Sequence, residues 1–392
     1  MKKVPYWDRN IEYYIKRAFV EGGILDISSI EDYIVEYYRK KYISPNDKKL
    51  IELYFKKEVS QEDLDNFLEN WDIEKEGAHK ALLLSSFMKN HPELNYPSYV
   101  KPRLDGMLKY YRFKNLNGIS HFKKACSALR KENIDVLIMK GGGMMHCRPD
   151  FPRIIGDIDI LVPFEQYEKA KNIVLPMYNK HTEYKHSVDI YDDVYNIPVL
   201  DLHKKLDLQT PKEILIGNEL FKRTHKEKVF GVEDICVPSV EDMLFITLIN
   251  MNKNLMRNTC YNLLYSIIDC AYLLNLKPDF NWDIVKKNAV ITQTEPQIAI
   301  VIKFLNEYIP TKMPVIFTEE FNKRSILRIY KDIFLDEMHT KSHELTIKNI
   351  KSWSSLKYYI KFRAQYTLFK RKLVRNNANF AKMILIKQGF IK

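Results

Sequence analysis

The sequence predicts an α+β protein: a sheet formed by the middle of the chain, with a helical region on either side of it. Three observations lead there. Residues 1 to about 110 carry helix-start signatures and apolar residues at helical spacing. Residues 113–202 run helix, strand, glycine turn, strand, helix and two further strands. From Ser239 onward the apolar spacing is helical again. These readings divide the chain into a helical N-terminal region (1–110), a sheet-bearing core (111–236), a helical C-terminal domain (237–340) and a basic, aromatic-rich helical tail (341–392).

In the N-terminal region, Tyr13, Tyr14, Ile15, Ala18 and Phe19 fall near helical spacing. Ser29 to Asp32, Ser44 to Asp47 and Ser60 to Asp63 are capping signatures, and Pro45 suits the first position of a helix. Ala78 to Met88 is a further apolar helix, and Asn95 to Pro102 reads as a loop. Nothing here points to chemistry. The 25 tyrosines of the chain suit helices that pack through amphipathic rings.

In the core, Phe113 to Glu132 predicts a long helix with Ile119, Phe122, Cys126 and Leu129 on one side. It feeds an apolar strand, Val136 to Met139, that runs into Lys140-Gly141-Gly142-Gly143. A second strand carries Gly156-Asp157-Ile158-Asp159-Ile160-Leu161-Val162. Glu165 to Val174 reads as a helix after Pro163. Tyr184 to Ile190 and Tyr195 to Leu202 read as strands joined by a turn at Asp192-Asp193.

Beyond the core, Ser239 to Asp242 is another capping signature. Leu263 to Leu274, Asn281 to Ala289 and Ile298 to Tyr308 follow as apolar-patterned helices. The formal net charge is +12, and Lys341–Lys392 alone carries thirteen Lys and Arg against one Glu, so the rest of the chain is close to neutral. The basic character therefore says nothing about the core. In the tail, Tyr358, Tyr359, Phe362, Tyr366 and Phe369 recur at three- and four-residue intervals, the spacing of one packed helical stripe. Basic and aromatic residues together also suit RNA, an acidic partner or a membrane surface.

The longest apolar run, Met243 to Met251, is too short to span a membrane. The start of the chain lacks the apolar segment of a secretory signal. Cys126, Cys147, Cys236, Cys260 and Cys270 are scattered and odd in number, and none stands in zinc-ligand spacing with a histidine. Free thiols in a reducing cytoplasm are the expectation.

The chemistry gathers around residues 140–203. On a strand, residues i and i+2 share a face, so Asp157 and Asp159 aim both carboxylates one way while Ile158 and Ile160 face a core. Two crowded carboxylates repel unless something neutralises them, and Mg²⁺ is the natural partner because it takes oxygen ligands together with substrate phosphates. Glycines after a strand let backbone N–H groups approach an anion, and a helix starting there favours phosphate. Carboxylates for a metal and glycines for phosphate describe a site for a nucleoside triphosphate–metal complex. Arg153 has the fork to hold triphosphate oxygens, and Lys140 sits where a phosphate could lie. Asp201 alternates with Leu200 and Leu202, and His203 shares its face.

Lys140-Gly141, Arg153, Gly156-Asp157-Ile158-Asp159-Ile160-Leu161-Val162 and Val199-Leu200-Asp201-Leu202-His203 resemble the signature of the uncharacterised nucleotidyltransferase family within the DNA polymerase beta-like superfamily. The resemblance covers roughly residues 115–290. It implies a small mixed sheet with a helical region packed against it. It also implies a metal site of Asp157, Asp159 and Asp201, and nucleotide contacts from Lys140, Gly141, Gly142, Arg153 and His203. The third glycine, Gly143, leaves two candidate phosphate-binding pairs, and Lys204-Lys205 stands where the family pattern has an aromatic residue.

The expected activity is transfer of a nucleoside monophosphate from a nucleoside triphosphate to a hydroxyl or phosphate acceptor, dependent on Mg²⁺ or Mn²⁺, with pyrophosphate released. ATP is one candidate donor. The acceptor stays open among a sugar phosphate, a small molecule, a protein and a tRNA end. Two other readings stand beside it: a metal-dependent glycosyltransferase, which also uses Asp-x-Asp, and a non-catalytic nucleotide-binding or interaction protein.

Overall fold

The computed structural model describes residues 27–314, except residues 150, 207–212, 258–262 and 278. The expectations for residues 1–26 and for the basic tail lie outside the described residues. One compact unit, residues 38–320, contains the whole site discussed below.

Among the described residues, four helices come first: α1 (Ile27–Tyr42), α2 (Pro45–Phe55), α3 (Gln61–Leu68) and α4 (Ala78–Asn90). Two of their starts follow the capping prediction. The Ser44 hydroxyl accepts from the Asp47 N–H while the Asp47 carboxylate accepts from the Ser44 N–H, and Ser60 and Asp63 repeat the arrangement. Each box satisfies backbone donors that a helix start leaves unpaired. The signature at Ser29 does not mark a start, because α1 already begins at Ile27. Next comes α5 (Lys101–Lys131), which reaches back well beyond the predicted start at Phe113 and runs unbroken across residue 110.

The sheet elements follow in order: β1 (Leu137–Ile138), α6 (Lys140–Cys147), β2 (Ile158–Leu161), α7 (Tyr167–Val174), β3 (His181–Glu183), β4 (Ser187–Tyr191), β5 (Pro198–His203), α8 (Glu213–Lys222), β6 (His225–Val229) and β7 (Val232–Val237). The strands form one seven-stranded mixed sheet in the order β3-β4-β5-β2-β1-β7-β6. At its centre β2 runs parallel to β5 and antiparallel to β1, and β4 pairs antiparallel with β5. Four C-terminal helices complete the unit: α9 (Val240–Arg257), α10 (Leu263–Leu276), α11 (Trp282–Thr292) and α12 (Glu295–Leu305).

Strand alternation sorts the residues. Ile158, Ile160, Val188, Ile190, Leu200 and Leu202 are buried in one core with Phe122, Ala125, Cys126 and Leu129 of α5 and Tyr167, Ala170 and Val174 of α7. Asp157, Asp159, Asp189, Asp201 and His203 occupy the alternate positions, on the other face.

Further features differ from expectation. The glycines form no turn; they lie in the first turns of α6, which begins directly after β1. Gly142 is what lets this helix sit so close, because a Cβ there would come 2.9 Å from Ile158 Cγ2 and 3.3 Å from Ile138 Cδ1. The hairpin of β6 and β7 is an addition to the predicted elements. Val229 pairs with Val232 across a two-residue turn in which Phe230 (φ 49°) and Gly231 (φ 87°) are both left-handed. That is a primed turn, and its twist matches the flanking strands.

Candidate metal and nucleotide site

Three neighbouring strands build the site. Asp159 of β2 stands beside Asp201 of β5 in the parallel pair, and Asp201 stands opposite Asp189 of β4 in the antiparallel pair. The three carboxylates therefore occupy one row across the sheet. Asp157 lies two residues before Asp159, on the same face. The loop that delivers Asp157 is clipped to α5 by Asn115, whose amide donates to the Arg153 carbonyl at 2.7 Å and whose oxygen accepts from Ile155 N–H at 3.2 Å.

The cations are distributed unevenly. The Lys140 ammonium donates to Asp159 Oδ1. His203 Nε2 lies 2.9 Å from the same oxygen and 2.7 Å from Asp201 Oδ2. Lys140 reaches in from a left-handed backbone position, φ 46°, which costs a non-glycine residue free energy. The environment is dry: Asp159 and Asp201 are each 7% exposed and His203 1%.

Burial works against the charge on Asp159, but Lys140 and His203 outweigh it and hold that carboxyl well below the usual carboxylate range. Burial likewise opposes the charge on Asp201, and His203 holds it down. Burial and Lys140 oppose the charge on His203, yet Asp201 and Asp159 lift its pKa to about 9. For Asp157 and Asp189 the balance falls the other way. Burial, followed by Asp159, pushes Asp157 up to about 7, and burial, followed by Asp201, pushes Asp189 up to about 6.

Two sets of residues could hold a metal ion. Asp159, Asp201 and His203 form one; Asp157, Asp189 and Asp201 form the other. Within each, one ligand atom per residue lies within 4.8 Å of the others. A further observation fits a cation: Asp201 Oδ1 is buried and has no hydrogen-bond donor. A buried carboxylate oxygen without a donor is costly unless something positive completes it. The chemistry suits a hard divalent ion, which prefers oxygen ligands.

The structure thus gathers Asp157, Asp159, Asp201, Lys140 and His203, as the sequence suggested. Gly141 is partly exposed in the first turn of α6, whereas Gly142 and Gly143 are buried. Arg153 turns instead toward the helical domain. Its two amino groups meet Asp269 of α10 at 3.2 and 3.0 Å, and the guanidinium lies over the Tyr265 ring at 5.5 Å. Asp189 is the group that sequence reasoning missed. The alternation Val188-Asp189-Ile190 is its signal, but only the pairing of β4 with β5 brings it to the row.

A mixed sheet whose central strands crowd carboxylates on one face, beside a glycine-rich helix start, has the arrangement of a nucleotidyltransferase. The chain belongs to the uncharacterised nucleotidyltransferase family, whose model matches residues 76–310. Membership supports a transferase-type enzyme with a nucleotide substrate. Among solved structures, an antigenic nucleotidyltransferase-like protein from Paracoccidioides brasiliensis aligns with 50% of this chain and 94% of its own, at 15% identity and a TM-score of 0.30. That likeness is too slight to argue from. No curated protein matches the chain. Among the described residues, no helix is long and apolar enough to cross a membrane.

Proposed function

We propose that this protein transfers a nucleoside monophosphate from a nucleoside triphosphate to a hydroxyl or phosphate acceptor, releasing pyrophosphate, with Mg²⁺ as cofactor. One observation carries the reading. Asp159 and Asp201 are paired in register on adjacent strands, next to Asp157, and a buried oxygen of Asp201 has no donor. A divalent cation held by Asp157, Asp159 and Asp201 would neutralise the triphosphate and acidify the acceptor oxygen.

The chain's own groups do the rest. The first-turn amides of α6, at Lys140, Gly141 and Gly142, have no carbonyl partner within the helix, and they hold the phosphates with the Lys140 ammonium. His203, fixed between Asp159 and Asp201, keeps the Asp201 carboxylate oriented and ionised. Asp201 accepts the acceptor's proton as the new bond to the α-phosphorus forms and the bond to pyrophosphate breaks.

A second reading, nucleotide binding without transfer, draws on the ion pairs of Asp159 with Lys140 and His203, which already neutralise one expected metal ligand. The glycosyltransferase reading rests on Asp-x-Asp alone, and the family gives it no support. Calorimetry with each triphosphate, in Mg²⁺ and in EDTA, tests binding. Incubation with labelled triphosphate and fractionated cell extract then separates transfer from binding and reveals the acceptor. A folded protein that binds no triphosphate in Mg²⁺ would end both readings.

A further inference from the structure

We propose that Asp189 is a metal ligand that joins Asp157 and Asp201 at a cation site. The inference deepens the transferase reading and rests on it for the use the cation is put to, but its evidence is the arrangement of carboxylates itself.

Three observations support it. Asp189 is fixed opposite Asp201 by the register of β4 and β5, and its neighbours Val188 and Ile190 are fully buried in the core, so its side chain belongs to the site face. One oxygen from each of Asp157, Asp189 and Asp201 lies within 4.8 Å of the others. The nearby protein cations serve different atoms. Lys140 pairs with Asp159, and His203 pairs with Asp159 and with Oδ2 of Asp201. The other oxygen of Asp201, Oδ1, is buried without a donor, on a residue 7% exposed.

The charge balance follows. Asp159 has two cationic neighbours, while Asp157 and Asp189 pair with neither. Three carboxylates drawn together from three strands, sharing part of one imidazolium, lack positive charge that a divalent ion would provide. An ion entering there displaces no salt bridge.

The test is Mn²⁺ binding to the full chain without nucleotide, read by calorimetry and by loss of the free-ion signal in electron paramagnetic resonance. Wild type should bind, Asp189→Asn should weaken binding at least tenfold, and Asp193→Asn, at an exposed carboxylate outside the row, should change it less than threefold. Asp189→Asn binding Mn²⁺ within twofold of wild type would overturn the proposal. So would a loss in Asp193→Asn as large as in Asp189→Asn, or a wild type that binds no Mn²⁺. If Asp189→Asn does not fold, Asp189→Glu keeps the charge but moves the carboxylate outward by one methylene. It should weaken Mn²⁺ comparably, and unchanged affinity there would equally overturn the assignment. Because nucleotide is absent, failure of the transferase reading shows separately, as lost triphosphate binding with Mn²⁺ affinity intact.

Discussion

His203 Nε2 meets Asp159 Oδ1 at 2.9 Å across the parallel pair β2–β5, while its Nδ1 lies 3.3 Å from the Lys205 carbonyl. A carboxylate and a carbonyl both only accept, so each ring nitrogen must carry a proton. The geometry thus calls for an imidazolium, in agreement with a pKa raised to about 9 by Asp201 and Asp159 against burial and Lys140. The stability gained from this charge is complete below the ring's ordinary 6.5 and is lost as pH rises through about 9. Histidine ¹⁵N spectra of the metal-free protein should show one ring titrating near that upper value, and the His203→Asn variant should lack it. A His203 ring neutral at pH 7.5 would refute the assignment.

Gly142 tests the seat of α6. An added Cβ would press on Ile158 and Ile138, both fully buried, and at 2.9 Å from Ile158 Cγ2 something must shift. Gly142→Ala should cost ~1–3 kcal/mol in urea unfolding, the usual penalty for overpacking. Gly141→Ala, which meets nothing nearer than 4.0 Å, should be close to neutral in stability. Equal losses at the two positions would show that the close contact with Ile158 does not set the need for glycine at 142.

Arg153 and Asp269 should act as a clamp between the loop before β2 and helix α10. Arg153→Ala leaves Asp269 buried without its counter-charge, and should destabilise the protein by ~3–5 kcal/mol. The double variant Arg153→Met with Asp269→Leu should recover most of that loss. It should also bind triphosphate about as tightly as wild type. If the double variant is stable but triphosphate affinity has collapsed, Arg153 reaches phosphate after all.

His79 supplies a pH dependence away from the carboxylates. Burial, then Arg153 and Lys114, push its pKa from 6.5 down to about 4. Its Nδ1 is buried without a partner, and its ring packs edge-on against Tyr265 at 5.6 Å. The folded protein keeps the ring neutral, so the unfolded chain binds more protons between those two values. Stability should therefore fall as pH drops through 6.5 toward 4, by up to roughly 3 kcal/mol from this residue. Urea midpoints for wild type and His79→Phe at pH 7.5 and 5 measure it. The variant should lose less on acidification, and matching losses would refute the assignment.

Much of this is legible in the sequence because it is local. Ile158 and Ile160 alternate with Asp157 and Asp159, which fixes the two faces of β2 before any partner strand is known. Ser44 and Ser60 announce their helices within four residues. The rest depends on distant pairing. Asp269 lies 116 residues from Arg153, and nothing near Arg153 signals it. Asp189 sits in an ordinary alternating strand, and its place in the row depends on β4 pairing with β5. The glycines after Lys140 suggest a turn because glycine is a poor helix former. Packing against Ile138 and Ile158 overrides that preference.

The strand order has a consequence for how the chain is made. In sequence β5 follows β2 and β4, yet in the sheet it lies between them. A nascent chain that has emerged only as far as β4 already contains Asp157, Asp159 and Asp189, but it has no strand to set them side by side. The last of the three strands to leave the ribosome is the keystone, and it brings Asp201 and His203 with it. The mutual repulsion of the acidic row is thus deferred to the step that also delivers its imidazolium. A partly synthesised chain cannot assemble the site early and sequester metal or nucleotide with it.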